Sequence, residues 1–248
     1  MSQRKQTAIV TGSTSGIGLA VARALVDRGD NIVLNGRDPK RLRQAQDDLG
    51  APEQVAGVAG NIGQRRTGSA LARTAIERFG SVDILVNNAG TFAPNAFLDV
   101  AEEELDGYLQ GNLKGTYLTT QAVVREMKQR RSGSIVNIGT VLIDHAIGGF
   151  PASAPLVSKG GVHALTVSLA AELAPYGIRV NAVAPGVIRT PLHGNADVDS
   201  FGGVALLNRV GEVDEITQAV LYLADATFTT GHILPVDGGF VTGRRLAA

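Results

Sequence analysis

Short runs of consecutive apolar residues alternate along the chain with longer stretches in which apolar residues recur every three or four positions. Residues 7–10, 31–34, 55–59, 84–86, 134–138, 179–183 and 233–236 read as strands. Several are apolar throughout rather than at every second position, as parallel strands are when both faces are covered. Between them, residues 16–28 place Ile17, Ala20, Val21, Ala24 and Leu25 on one helical face, and Gly29 follows as a stop. Residues 159–173 repeat the pattern with Val162, Leu165, Leu169 and Leu173. Strand and helix alternate from end to end, with no linker or repeat to divide them. This predicts one α/β domain over 1–248, a doubly wound parallel sheet with helices on both faces. The long irregular piece at 191–204, rich in Gly, Asp and Asn, reads as a lid or binding loop.

Composition narrows the function. Lys plus Arg (23) equals Asp plus Glu (23), so no net field favours a nucleic acid or an anionic membrane. The basic stretch at 125–131 reads as a solvated helix end. The chain has no cysteine, which excludes disulfides, thiolate metal sites and a cysteine nucleophile; no metal is expected. The polar start at 1–6 lacks a signal-peptide apolar region, and no apolar run approaches the roughly 20 residues of a membrane span. The expectation is a soluble cytoplasmic protein with a small-molecule substrate.

Candidate chemistry begins after the first strand. Thr11-Gly12-Ser13-Thr14-Ser15-Gly16-Ile17-Gly18 connects it to the first helix. Glycine allows a tight turn and close approach to a pyrophosphate, and a helix N-terminus offers N–H groups to the anion. The candidate cradle residues are Gly12, Ser13, Ser15, Gly16, Ile17 and Gly18. After the second strand comes Asn35-Gly36-Arg37-Asp38. An acid there suits free ribose hydroxyls and an Arg suits a 2′-phosphate, so Arg37 favours NADP(H). Asp38 keeps NAD(H) open, unless it merely caps a helix.

These residues resemble the classical short-chain dehydrogenase/reductase family, and the likeness spans essentially the whole chain. The glycines match in order, as do Asn87-Asn88-Ala89-Gly90 after the fourth strand and Asn112 in Gly111-Asn112-Leu113. Asn181-Ala182-Val183-Ala184-Pro185-Gly186, then Ile188 and Thr190, resembles the stretch that holds the nicotinamide carboxamide. Val236-Asp237-Gly238-Gly239 resembles the C-terminal signature. The resemblance implies a Rossmann-like fold and hydride exchange with a nicotinamide cofactor. It also implies that Asn61, Ile62, Asn88, Ala89, Gly90, Lys159, Pro185, Gly186, Ile188 and Thr190 join the cofactor site. A homodimer or homotetramer follows from the same likeness, assembled through the helices near Asn112 and Lys159 and the C-terminal strand.

In that family a tyrosine exchanges a proton with the substrate oxygen, a serine orients the substrate, and a lysine binds the ribose and lowers the tyrosine pKa. Aligning Ser158-Lys159-Gly160-Gly161 puts Lys159 in the lysine role and Pro155 in the tyrosine role. Proline has no side-chain donor, yet it suits the first turn of a helix. None of Tyr108, Tyr117, Tyr176 or Tyr222 has a lysine four residues on, so no shifted motif replaces it. The serine position is Thr140, which keeps a hydroxyl. Asn61 stands where an aspartate is common and can still accept from the adenine amine. Asn112, Thr140 and Lys159 are what remains of the catalytic set. Candidate substitutes for the acid are the His145 imidazole, and Lys159 acting through water. Ser153 reads as a helix N-cap, and His163 as pointing to a neighbouring subunit or to solvent.

Two functions stay open. One is an oxidoreductase with an altered proton relay, acting on a small carbonyl or alcohol. A preprotonated imine or a conjugated carbonyl would need no tyrosine. The other is a nucleotide-binding pseudoenzyme. Leu142, Ile143, His145, Phe150, Leu192 and Phe201, on the two loops after Thr140 and Thr190, suggest a partly apolar pocket.

Overall fold

The structure is a computed structural model describing residues 5–194 and 196–243; 1–4 and 244–248 lie outside the described residues, as does Asn195 within the irregular 191–204 segment. Seven strands form one parallel sheet: β1 (Thr7–Val10), β2 (Asn31–Gly36), β3 (Val55–Ala59), β4 (Ile84–Asn87), β5 (Gly133–Ile138), β6 (Ile178–Pro185) and β7 (Ile233–Val236). Their order is β3-β2-β1-β4-β5-β6-β7. The helices are α1 (Gly16–Asp27), α2 (Pro39–Leu49), α3 (Arg65–Phe79), α4 (Glu102–Tyr108), α5 (Gly115–Arg130), α6 (Ser153–Leu173) and α7 (Val213–Asp225).

The uninterrupted apolar strands are explained by two cores. Ala8 and Val10 of β1, Ile32 and Leu34 of β2, and Ile84 and Val86 of β4 pack under α1, α2 and α7. The residues between them, Ile9, Val33 and Leu85, pack under α3, α5 and α6. Successive strand side chains point to opposite faces, so each face must be apolar. Burying a Leu or Ile stabilises by about 1.5–3 kcal/mol.

All seven expected strands are present. The structure extends four of them: β2 to Gly36, β4 to Asn87, and β5 and β6 at one or both ends. Apart from Ile178 and Ala184, these added ends carry polar, Gly or Pro residues that apolar patterning misses, but they still find ladder partners, as in Gly36↔Ala59 and Pro185↔Val236. α1 stops where expected, with Gly29 at φ +97°. The helix through Lys159 begins six residues earlier than its apolar face suggests. Ser153 is therefore not its N-cap. Ala152 holds that place, and no side chain caps this end. Pro155 falls in the first turn, where its missing N–H breaks no helical bond.

The sheet order reverses between β1 and β4. In open α/β sheets a ligand crevice lies beyond the strand C-termini at such a point. The loops after β1, β4, β5 and β6 all gather at that edge.

Candidate active site

The loop between β1 and α1 is held by contacts that tolerate no side chain. Gly12 has φ +62°, and a Cβ on it would lie 2.7 Å from Ala89 Cα. A Cβ on Gly18 would lie 2.4 Å from Asn88 Nδ2 and 2.5 Å from the Gly12 carbonyl oxygen. Asn88 Nδ2 donates to the carbonyls of Thr11 (3.0 Å) and Gly12 (2.9 Å). The Thr11 hydroxyl accepts from the N–H groups of Asn88 and Ala89, both at 3.0 Å. The β4 loop thus clamps the glycine loop in place. Gly18→Ala is expected to cost about 1–3 kcal/mol, because backbone must shift to admit the methyl. A urea midpoint equal to the native one would contradict this.

No side chain caps α1 at Ser15, so the first-turn N–H groups of Gly16, Ile17 and Gly18 are free of a capping partner and can serve an anion. Ser13 differs. It is fully buried, its hydroxyl donates to the Val10 carbonyl at 2.8 Å, and its N–H donates to the Asn35 carbonyl at 2.9 Å. It shapes the cradle without offering it a donor. A Cβ on Gly16 would sit 3.7 Å from Thr190 Cβ and from Pro191 Cδ. The cradle therefore meets the start of the irregular 191–204 segment, which contains two 3-10 turns, Pro191–His193 and Val198–Val204.

Beyond β2, Arg37 is exposed. The Asp38 carboxylate caps α2, accepting from the Lys40 N–H at 2.7 Å and the Arg41 N–H at 3.5 Å. After β3, the Asn61 side-chain oxygen accepts from the Gly63 N–H at 2.9 Å, and Ile62 is buried against Gly115.

The reaction-side residues converge around Gly90. Asn112 lies in a π-helical turn, Leu109–Lys114, between α4 and α5; such turns recur at functional sites. Its amide clamps Thr91 on both sides: the oxygen accepts from the Thr91 N–H (2.8 Å) and Nδ2 donates to the Thr91 carbonyl (3.0 Å). Nδ2 also donates to the Ser158 hydroxyl at 2.9 Å, and that hydroxyl donates to the Pro155 carbonyl at 2.7 Å. A Cβ on Gly90 would lie 2.9 Å from Asn112 Oδ1 and 3.4 Å from Lys159 Nζ. Lys159 is buried, and Nζ donates to the Ile138 carbonyl at 2.6 Å. Desolvation pulls its pKa down to about 8.

Thr140, two residues beyond Ile138, caps a short 3-10 turn; its hydroxyl accepts from the Leu142 N–H at 3.3 Å. Its own N–H donates to His163 Nε2 at 3.4 Å. His163 is thus turned inward, not to solvent or a neighbour. Gly139 permits this, because a Cβ there would fall 2.1 Å from His163 Nε2. Burial first, then the Lys159 charge, lowers the His163 pKa against the opposing pull of Asp144, so the ring is neutral and accepts the Thr140 proton through Nε2. His145 is exposed on its loop and packs edge-on to Phe240, centroids 6.0 Å apart.

From β6, Pro185 ends the strand and Gly186 crosses Asp237 closely: a Cβ on Gly186 would be 2.8 Å from Asp237 Cα. Asp237 in turn accepts from the N–H groups of Gly239 and Val241, both at 2.9 Å. Ile188 is buried and bridges to Gly211.

Residues 12–241 match the family model described as Enoyl-(Acyl carrier protein) reductase. The chain is 36% identical over 247 residues to the (2S)-[(R)-hydroxy(phenyl)methyl]succinyl-CoA dehydrogenase subunit BbsD of Thauera aromatica, covering 96% of this chain and 98% of that one. It is 34% identical to the 3-oxoacyl-[acyl-carrier-protein] reductase FabG of Thermotoga maritima, covering 94% and 96%. A short-chain type dehydrogenase/reductase from Mycobacterium marinum superposes with a TM-score of 0.90 at 31% identity, covering 96% of each chain. The chain belongs to the short-chain dehydrogenase/reductase family. The named members are dehydrogenases and reductases; one of them, the L-rhamnose 1-dehydrogenase (NAD(P)(+)) of Azotobacter vinelandii, is 36% identical over 247 residues, covering 94% of this chain and 96% of that one.

Within this short-chain dehydrogenase/reductase, the structure brings Asn112, Lys159 and Gly90 together, and Thr140 follows two residues after Ile138, whose carbonyl holds Lys159. Two participants were not foreseen. Phe92 carries no motif and emerges only because Phe150 stacks on it, centroids 6.2 Å apart. The inward turn of His163 could have been suspected from Gly139, the residue its ring needs to be small. No described helix is long and apolar enough to cross a membrane.

Proposed function

We propose that this protein exchanges hydride between NADP(H) and a small carbonyl or alcohol, with Asn112, Thr140 and Lys159 as the remainder of a relay lacking its tyrosine. The buried Lys159 ammonium, next to Gly90 and Asn112 at the mouth of the glycine cradle, carries this reading. An ion kept in so costly a place, with one carbonyl partner, is poised for a further acceptor such as a ribose hydroxyl. The residues fit a dinucleotide: Gly12 and Gly18 let the glycine loop pack closely against the β4 loop, and the N-terminus of α1 has no side-chain cap, which leaves its first N–H groups for an anion. When bound, the cofactor supplies or takes up the hydride. Gly16, Ile17 and Gly18 hold its pyrophosphate. Asn61 and Ile62 border the adenine, and Ala89, Gly90, Pro185, Gly186, Ile188 and Thr190 line the path to the nicotinamide.

In the reducing direction the carbonyl carbon gains hydride and the carbonyl oxygen gains one proton. Thr140 orients that oxygen through its hydroxyl. The proton reaches it from solvent water held by Lys159, because Pro155 offers none. Losing a positioned acid lowers a rate by about a hundredfold to ten-thousandfold, less than the whole enhancement of an enzyme. Slow turnover is therefore the expected result. The test is NADPH and NADH consumption against ketones, aldehydes, quinones and imines, run beside Lys159→Ala. Turnover lost in the variant supports the reading; cofactor binding with no turnover supports the second one, a nucleotide-binding pseudoenzyme. The observation favouring that alternative is Pro155 itself, buried one helical turn before Lys159.

The preference for NADP(H) rests on Arg37, exposed and in no ion pair among the described residues, beside an Asp38 already engaged as a helix cap. Arg37→Ala is expected to weaken NADPH binding about tenfold and leave NADH binding unchanged. Equal loss for both cofactors would contradict this. A homodimer or homotetramer is supported by Tyr117 on α5 and by Val157 and Val167 on α6, each more than half exposed.

A further inference from the structure

Three of the chain's seven phenylalanines meet at the reaction side of the sheet edge. Phe92 follows Thr91, whose backbone is clamped on both sides by Asn112. Phe150 stacks on it, with centroids 6.2 Å apart and planes 11° from parallel. Phe201, on the 191–204 segment, meets Phe150 edge to face at 6.5 Å and 75°. The rings come from three loops, after β4, β5 and β6. The first two loops are also joined by the Asn95 N–H donating to the Pro151 carbonyl at 2.9 Å. All three rings are partly exposed, Phe201 by 37%, so they form a wall and not a filled core.

Charge on these loops is one-sided. Residues 91–101, 140–152 and 191–204 contain no Lys or Arg, but they carry Asp99, Asp144, Asp197 and Asp199. The two arginines flanking the last segment are already paired: Arg189 with Asp199 and Glu212, Arg209 with Glu215. Among the described residues, an anionic substrate would find carboxylates on this rim and no arginine that is not already paired. A flat uncharged group would find ring faces and edges, which favour stacked and T-shaped partners.

We infer that Phe92, Phe150 and Phe201 select an uncharged aromatic ketone or alcohol, against carboxylate-bearing and phosphate-carrying acyl substrates. This rests on the carbonyl/alcohol reading of the same site. Phe150 is the central ring, touching both others, and Phe201 is the most exposed of the three.

The test is equilibrium binding of acetophenone, 2-butanone and benzoylformate to the NADP+ complex, with turnover of each ketone by NADPH measured on the same samples. Acetophenone is expected to bind about tenfold more tightly than either of the others. Phe201→Ala, exposed enough to leave the fold intact, should lose about tenfold for acetophenone and nothing for 2-butanone. Phe150→Leu should do the same and serves if Phe150→Ala does not fold. Equal binding of benzoylformate, parallel weakening of all three ligands in the variants, or no acetophenone binding would overturn the inference. Acetophenone binding in the expected order with no ketone reduced would sink the oxidoreductase reading and leave the aromatic wall standing. Reduction of 2-butanone with acetophenone neither bound nor reduced would do the reverse.

Discussion

Replacing Pro155 with tyrosine is expected to raise turnover of a simple ketone by about a hundredfold or more, the usual contribution of a positioned acid. The position is favourable. Residue 155 lies in the first turn of α6, one helical turn before Lys159, so both side chains project to the same side. The Lys159 ammonium would favour the phenolate and bring the hydroxyl closer to working pH. Pro155 is buried, so the larger ring must either point into the site or disturb the packing around it. The two outcomes separate cleanly. A gain in kcat at unchanged thermal stability places the hydroxyl in the site, and a loss of stability without a gain in kcat shows that the space is closed. A native rate already equal to that of the tyrosine variant would mean another group donates the proton.

Lys159→Met should have the opposite pair of effects, abolishing turnover while stabilising the protein. Methionine keeps the length and removes the charge. The native Lys159 has its pKa lowered from 10.5 to about 8 by burial. Because the folded value lies below the unfolded one, the unfolded chain binds more protons between about pH 8 and 10.5, and native stability rises with pH across that window. Below pH 8 the whole penalty is present. It is on the order of 3 kcal/mol, partly offset by the bond to Ile138. The variant is therefore expected to be about 1–3 kcal/mol more stable at pH 7, raising the melting temperature by several degrees. That advantage should shrink as pH is raised past 8. An unchanged or lowered melting temperature at pH 7 would show that Lys159 is held by more than one carbonyl. Turnover should fall at least about a hundredfold.

Several features were legible before the structure because they follow from local rules. Seven strands could be read from apolar runs, since a parallel sheet between two helical layers demands them. The glycine cradle was legible because Gly12 and Gly18 stand where no side chain fits, Gly12 also with a positive φ. Less legible was whatever depends on long-range contact. The start of α6 at Ser153 is polar and uncapped, so no periodicity marks it. Ser13 looks like a phosphate ligand by position, yet β1 and β2 consume both of its donors. Asp38 could be assigned only once its bonds to α2 were seen. Asn112 was found by resemblance, but its hold on Thr91 depends on the π-turn, which no propensity encodes. Phe150 and Phe201 were legible as apolar residues of two loops, but Phe92 was not, and the contact that joins the three rings is long-range and marked in none of the loops.

The most direct test of hydride transfer without a tyrosine is a single turnover with NADPH deuterated at the nicotinamide C4, followed by mass spectrometry of the product. The alcohol formed from a ketone by the native protein should carry one deuterium on the carbinol carbon, and Lys159→Met should yield none. NADPH that binds firmly but passes no deuterium to any ketone, aldehyde or imine, and is not oxidised by a quinone, would contradict the account and mark the protein as a nucleotide-binding relative that has left catalysis behind.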